Sequence, residues 1–102
     1  MQSDLIKALG IVSELMRTNS LSEKDVVERI SDRSRVSEED ILGRSRRESV
    51  VFLRQGAYYI WRKKFDLGYA EIGHLVHRHH TTIMNGVRNI KKGLECYAGE
   101  LS

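Results

Sequence analysis

Gly68-Tyr-Ala-Glu-Ile-Gly-His-Leu-Val-His-Arg-His-His-Thr-Thr-Ile-Met-Asn-Gly-Val-Arg-Asn-Ile90 reads as a short helix, a tight turn and a second helix. Ala70, Ile72 and Leu75 give the first helix a small apolar face. Ile83, Val87, Ile90 and Leu94 recur at intervals of 4, 3 and 4, so they share one face of the second. Between the two lies the polar, basic turn Val76-His77-Arg78-His79-His80, and Thr81 and Thr82 then open the second helix. Apolar residues hold that helix from behind, while hydroxyls, imidazoles and a guanidinium crowd its first turn. A DNA-reading helix needs this layout, because its N-terminal end enters the major groove.

The rest of the chain agrees with a helical reading. At 102 residues it is one small domain with a single modest core. Proline is absent and helix formers are abundant, which favours an all-α fold. The single cysteine, Cys96, excludes an internal disulfide and forms no CxxC metal or redox pattern. No signal peptide and no apolar run of membrane-spanning length are found, so a cytoplasmic protein without a membrane partner is expected.

The net charge of +3 is unevenly spread. Residues 1–40 hold six bases against nine acids, a net of −3; residues 41–102 hold eleven bases against five acids, a net of +6. This asymmetry points to a polyanion-binding C-terminal part.

Upstream, Ser3 is placed to cap a first helix ending near Arg17, with Leu5, Ala8, Leu9, Val12, Leu15 and Met16 in one stripe. The stripe suits the chain's own core; the alternative is a partner, a second copy of the chain or another protein. Residues 1–20 are accordingly set apart from a DNA-binding unit at 21–96, and the tail 97–102 is expected to fray. Ser22-Glu-Lys-Asp25 and Ser37-Glu-Glu-Asp40 resemble capping boxes and start two short helices, the second ended by Gly43.

Gly43-Arg-Ser-Arg-Arg-Glu-Ser49 places three arginines ahead of a long helix expected over Ser49–Phe65. Positive charge at a helix N-terminus opposes the macrodipole. The placement does not help stability, so it suggests phosphate contact, with an arginine reaching a minor groove; the plain alternative is a solvated basic loop. Val50, Leu53, Ala57, Ile60, Trp61 and Phe65 mark the helix's buried face, Tyr58 and Tyr59 its margins, and Arg54, Arg62, Lys63 and Lys64 its other faces. Trp61 reads as the core's largest filler. Asp66-Leu67-Gly68 ends the helix, with Gly68 available for a left-handed cap.

In these residues the span from about Leu21 to Leu94 resembles domain IV, the DNA-binding domain, of the bacterial replication initiator DnaA. The basic loop Gly43-Arg-Ser-Arg-Arg47, then Leu53-Arg-Gln55, Glu71-Ile-Gly73, Arg78-His79-His80-Thr81-Thr82-Ile83 and Arg88-Asn89-Ile90 occur in the family's order. The resemblance implies a compact all-α helical bundle with a helix-turn-helix of Trp-repressor or DnaA domain IV type. It implies double-stranded DNA as the partner and a link to replication initiation or its regulation. His80, Thr81 and Thr82 match residues that read the major groove. Arg46 matches the arginine that enters the minor groove, and Arg47 stands beside it. Arg62 sits where the family has a phosphate-contacting lysine. Arg54 and Arg88 match basic positions near the DNA backbone, and Arg78 and His79 belong to the signature of the turn.

Three departures stand out. His79 replaces the family's aspartate, which accepts hydrogen bonds from cytosine; a neutral imidazole can accept or donate, and a charged one only donates. The turn before Arg78 is one residue shorter, with Val76-His77 where the family has an aromatic and two glycines. Asn89 replaces a common lysine. The sequence contains no GxxxxGK[ST] loop, so it holds no phosphate cradle for ATP, and no cofactor is expected. The chain reads as a stand-alone domain IV with an added N-terminal helix.

Other functions fit less well. His74, His77, His79 and His80 fall within seven residues, but they straddle a turn and lack the helical H-E-x-x-H of a zinc hydrolase, so no metal site is expected. A protein-interaction module, or a transcriptional regulator with an unrelated site, is the alternative; the acidic first half would serve the former. No nucleophile–base pair, paired acids in an apolar cleft or cofactor loop marks an enzyme.

Overall fold

The computed structural model describes residues 3–101, with side chains for residues 3–97. Six α-helices follow one another: α1 (Ser3–Met16), α2 (Val26–Ser34), α3 (Glu38–Leu42), α4 (Glu48–Lys63), α5 (Tyr69–Val76) and α6 (His80–Leu101). A 3-10 turn, Glu23–Asp25, leads into α2. No strand occurs among the described residues, so the all-α expectation holds.

α4 is the axis of the bundle. Its residues Leu53, Ala57, Ile60 and Trp61 are buried against α1, α2 and α6 in one hydrophobic cluster. The Trp61 indole fills the core and donates to the Glu23 carbonyl at 3.0 Å, which satisfies its one polar atom. Tyr58 is fully buried rather than marginal. Its hydroxyl has no hydrogen-bond partner among the described residues.

α1 belongs to the same core. Ala8, Leu9, Val12 and Leu15 are buried, and Leu5 and Met16 pack against the cluster. The stripe is therefore covered by the chain's own helices and is not a free face for a partner. The crossings are close. A Cβ at Gly56 would lie 2.7 Å from Val12 Cγ2, and one at Gly93 would lie 3.0 Å from Leu9 Cδ2. Lys64 Nζ donates to the last-turn carbonyl of Met16 at 2.9 Å, and Arg33 pairs with Glu14 at 2.7 Å. The division drawn at residue 20 is not a division in the packing. At the other end α6 continues to Leu101, past the boundary placed at residue 96; Ser102 lies outside the described residues.

The caps differ in detail from the sequence reading. Ser37 Oγ accepts from Asp40 N–H at 3.1 Å, as its position suggests. Ser22 instead donates to the Asp25 carboxylate at 2.8 Å. Between α4 and α5 the left-handed residue is Asp66 (φ 58°) and not Gly68. Gly68 is the N-cap of α5, and its N–H donates to Glu71 Oε1 at 3.0 Å.

Candidate nucleic-acid interface

The turn between α5 and α6 is set by backbone geometry. His77 adopts a left-handed conformation (φ 56°) and ends α5. Histidine is among the residues that tolerate this region better than most non-glycines. Arg78 N–H then donates back to the Gly73 carbonyl at 2.9 Å. Gly73 has to be a glycine here, because a Cβ would lie 2.5 Å from the Arg78 carbonyl oxygen. Ile72 is the buried anchor of α5, and Val76 packs against the core. Leu75, expected on the apolar face, is 57% exposed instead. It lines a shallow cleft with Leu42, Trp61, Glu23, Lys24 and Glu38.

α6 is held from behind by Ile83, Val87 and Ile90, all buried, with Leu94 half-buried, as their spacing requires. Its first turn is open: His80, Thr81 and Thr82 are exposed, and so is His79 just ahead of it. The His79 and His80 rings meet at a tilt, with centroids 4.3 Å apart and 33° between their planes. His79 Nδ1 accepts the Thr81 N–H at 3.2 Å. The imidazole thus satisfies one of the free amides of the helix start.

The basic loop is attached to this turn. Arg78, half-buried, donates from Nη2 to the Gly43 carbonyl at 2.6 Å. Arg54 is only 6% exposed. It donates from Nε to the Ile41 carbonyl at 2.7 Å, from Nη1 to Ser45 at 3.0 Å and from Nη2 to Asp40 at 3.4 Å. Burial and, after it, the neighbouring charge of Arg78 push the Arg54 guanidinium below its usual range. Two arginines thus clamp the backbone of residues 40–45. This corrects the placing of Arg54 on an outer face at the DNA backbone: its guanidinium is spent on carbonyls inside the fold. Beyond the clamp, Arg46 and Arg47 are exposed. Arg47 is the N-cap of α4 without a side-chain cap bond, and Ser45 Oγ accepts its N–H at 3.3 Å.

Arg62 is half-buried. Its guanidinium carbon lies 4.6 Å from the centre of the Tyr69 ring, and Nη1 donates to the Leu67 carbonyl at 3.3 Å. Tyr69 also borders a groove with Lys63, Arg88 and Lys91. The sequence points to Arg88 but sets Lys63 only on an outer face of the long helix. Lys91 is three residues after Arg88, a spacing that shares a helix face. Lys63 comes from α4, and only the packing of α4 on α6 brings it there. Asn89 Nδ2 donates to Gln55 Oε1 at 2.7 Å, a further tie between those helices.

A second cleft, of about 420 Å³, lies in the turn itself and is lined by His74, His77, Arg78, His79 and His80 with Ala70 and Gly73. Neither this cleft nor the groove beside Tyr69 has an Asp or Glu in its lining. Among the described residues no three His, Cys, Asp or Glu side chains converge as a metal site, so the four imidazoles share a cleft without sharing a centre. Nor is any described helix long and apolar enough to cross a membrane.

A family model described as the bacterial dnaA protein helix-turn-helix matches residues 24–90. The chromosomal replication initiator protein DnaA 2 of Chlamydia caviae is 32% identical over 94 residues, covering 92% of this chain and 20% of that protein. The DnaA of Oleidesulfovibrio alaskensis is 36% identical over 67 residues, 66% of this chain and 14% of that protein. The DnaA of Desulfotalea psychrophila is 39% identical over 71 residues, 70% of this chain and 15% of that protein. The chain thus spans about a fifth or less of the length of these relatives. No solved structure matches it.

Proposed function

The chain belongs to the bacterial DnaA helix-turn-helix family, and from that membership we propose that it binds duplex DNA sequence-specifically, in replication initiation or its regulation. The first turn of α6, with His80, Thr81 and Thr82, enters the major groove. The loop carrying Arg46 and Arg47 reaches the adjacent minor groove or backbone, and Arg62 and Arg88 set the register through phosphates.

The observation that carries this reading is the Arg78–Gly43 bond of 2.6 Å. It ties the turn of the helix-turn-helix to the base of the basic loop, so the two exposed reading elements are held in one rigid relation. A domain that bound only proteins would have no need to couple an exposed arginine loop to a polar helix start. Pre-set geometry of this kind is what a reader of two adjacent grooves requires.

Fluorescence anisotropy of a labelled DnaA-box duplex against a scrambled duplex, at two salt concentrations, tests the proposal. Tighter binding to the box, weakening at the higher salt, is the expected result. Equal, salt-sensitive binding to both would keep duplex binding and replace the box by another site. No binding to either at low salt would overturn the reading.

A further inference from the structure

Every histidine of the chain lines one cleft. The sequence holds four, and His74, His77, His79 and His80 all border the space of about 420 Å³ at the turn, together with Arg78. Imidazole is the side chain that ordinarily changes charge between about pH 5 and 8. The groups around the cleft come from three elements. α5 supplies His74 and its cap His77, both exposed. The turn supplies Arg78, anchored by Nη2 to the Gly43 carbonyl at 2.6 Å. The start of α6 supplies His79, whose Nδ1 is taken by the Thr81 N–H at 3.2 Å, and His80. No carboxylate is in the lining; the one acid of α5, Glu71, is turned to the Gly68 N–H at 3.0 Å. The cleft is thus a basic space whose positive charge depends on pH. When the second helix of a helix-turn-helix enters the major groove, the first crosses the DNA backbone. The α5 side of the cleft, with His74 and His77, then meets phosphates.

We propose that this cleft takes a phosphate oxyanion and that His74 and His77 take up protons as it enters, the backbone of a bound duplex being the source. The inference rests on the duplex-binding reading above. An anion close to an imidazole favours its charged form. The complex therefore holds more protons than its separate parts, so the gain in affinity is present at low pH and is lost as the pH rises. Two imidazoles whose charged form is favoured about tenfold each raise affinity by about fiftyfold between about pH 8 and 5.5. A phosphodiester keeps its single charge over that range, so the dependence belongs to the protein.

Anisotropy titrations of a labelled duplex at about pH 8 and about pH 5.5, at one ionic strength, test this with the wild type and the double variant His74→Gln/His77→Asn. Asparagine suits the left-handed backbone of residue 77 (φ 56°), and glutamine is a good helix former at an exposed position; neither side chain can charge. The wild type should bind about ten- to fiftyfold tighter at the lower pH. The variant should match it at the higher pH and lose most of the gain. An unchanged gain in the variant would overturn the role of His74 and His77. A wild type of equal affinity at both pH values would overturn the duplex backbone as the ligand. Failure of the wild type to bind duplex at either pH would instead remove the duplex-binding reading beneath it. A second arm needs no DNA: NMR titration of the histidine ring protons in sodium sulfate, against sodium chloride of equal ionic strength. Sulfate is a tetrahedral oxyanion that does not itself titrate in this range. The His74 and His77 titrations, assigned by their loss in the variant, should move to higher pH in sulfate. Identical titrations in the two salts would overturn the cleft as an oxyanion site, and a sulfate response without any pH dependence of duplex binding would make a free oxyanion its ligand.

Discussion

Arg54→Ala is the substitution that bears most directly on how the basic loop is built. The side chain is 6% exposed and donates to three backbone carbonyls, at 2.7, 3.0 and 3.4 Å. The longest of these is near the limit of a hydrogen bond and counts little. Each of the two good bonds has a charged donor, which makes it worth about 1.5–3 kcal/mol. Truncation also leaves the Ile41 carbonyl without a partner and empties the space of a long side chain. The expected loss is about 3–5 kcal/mol, against a total of about 5–15 kcal/mol for a small domain. Urea unfolding followed by far-UV circular dichroism measures it. With a slope of about 1.5 kcal/mol per molar, the midpoint should fall by roughly 2–3 M at an unchanged slope. Arg54→Lys should recover only part of the loss, because an ammonium is a point donor and cannot span carbonyls of residues 40, 41 and 45. A phosphate contact predicts something else: stability within about 0.5 kcal/mol of wild type, and a salt slope of DNA binding reduced by about one. That pair of results would refute the clamp.

Tyr58 is pushed above its usual range chiefly by burial, which outweighs the opposing charges of Arg78 and Arg54. A tyrosine raised in the folded state contributes stability that is present below the unfolded value of about 10 and is lost as the pH rises through the folded value. Tyr58→Phe should therefore flatten the alkaline loss of melting temperature. At neutral pH it should leave stability equal or up to about 1 kcal/mol higher, because the buried hydroxyl has no partner; a clear loss at neutral pH would show that the hydroxyl is bonded. Gly73→Ala places a Cβ 2.5 Å from the Arg78 carbonyl oxygen. It should cost about 1–3 kcal/mol in thermal or urea unfolding as the turn is forced open, and no measurable cost would mean the turn is softer than its geometry. Thr81→Ala, on an exposed first turn, should cost about 1–3 kcal/mol at a preferred site and little on random duplex. Arg62→Ala should weaken both alike and lower the salt slope by about one. Anisotropy titrations separate the two, and equal losses for Thr81→Ala on both duplexes would take Thr81 out of base reading.

The order and kind of the elements were legible because they depend on local spacing. Ile83, Val87 and Ile90 announce the buried face of α6 by their intervals, and Ser37 announces α3 by its place before three acids. The exposed start of α6 was legible for the same reason, since hydroxyls and imidazoles there break the apolar rhythm. Burial of a long polar side chain has no such local signature. Arg54 and Arg62 look alike along α4, yet one is interior and the other half-exposed, because only Arg54 meets the carbonyls of residues 40, 41 and 45.

The same distinction runs through the whole molecule. By itself the amino-acid sequence determined an all-helical chain, a helix-turn-helix at residues 68–90 and a basic second half, since periodicity, turn residues and charge are properties of neighbours along the chain. Only the tertiary structure decided that α1 is covered by its own core, that Leu75 faces out, that Lys63 joins Arg88 and Lys91, and that Arg78 couples the turn to the basic loop. Each of these depends on which helices cross and at what distance. That is a matter of shape between residues as far apart in sequence as Gly43 and Arg78, on which local spacing carries no information.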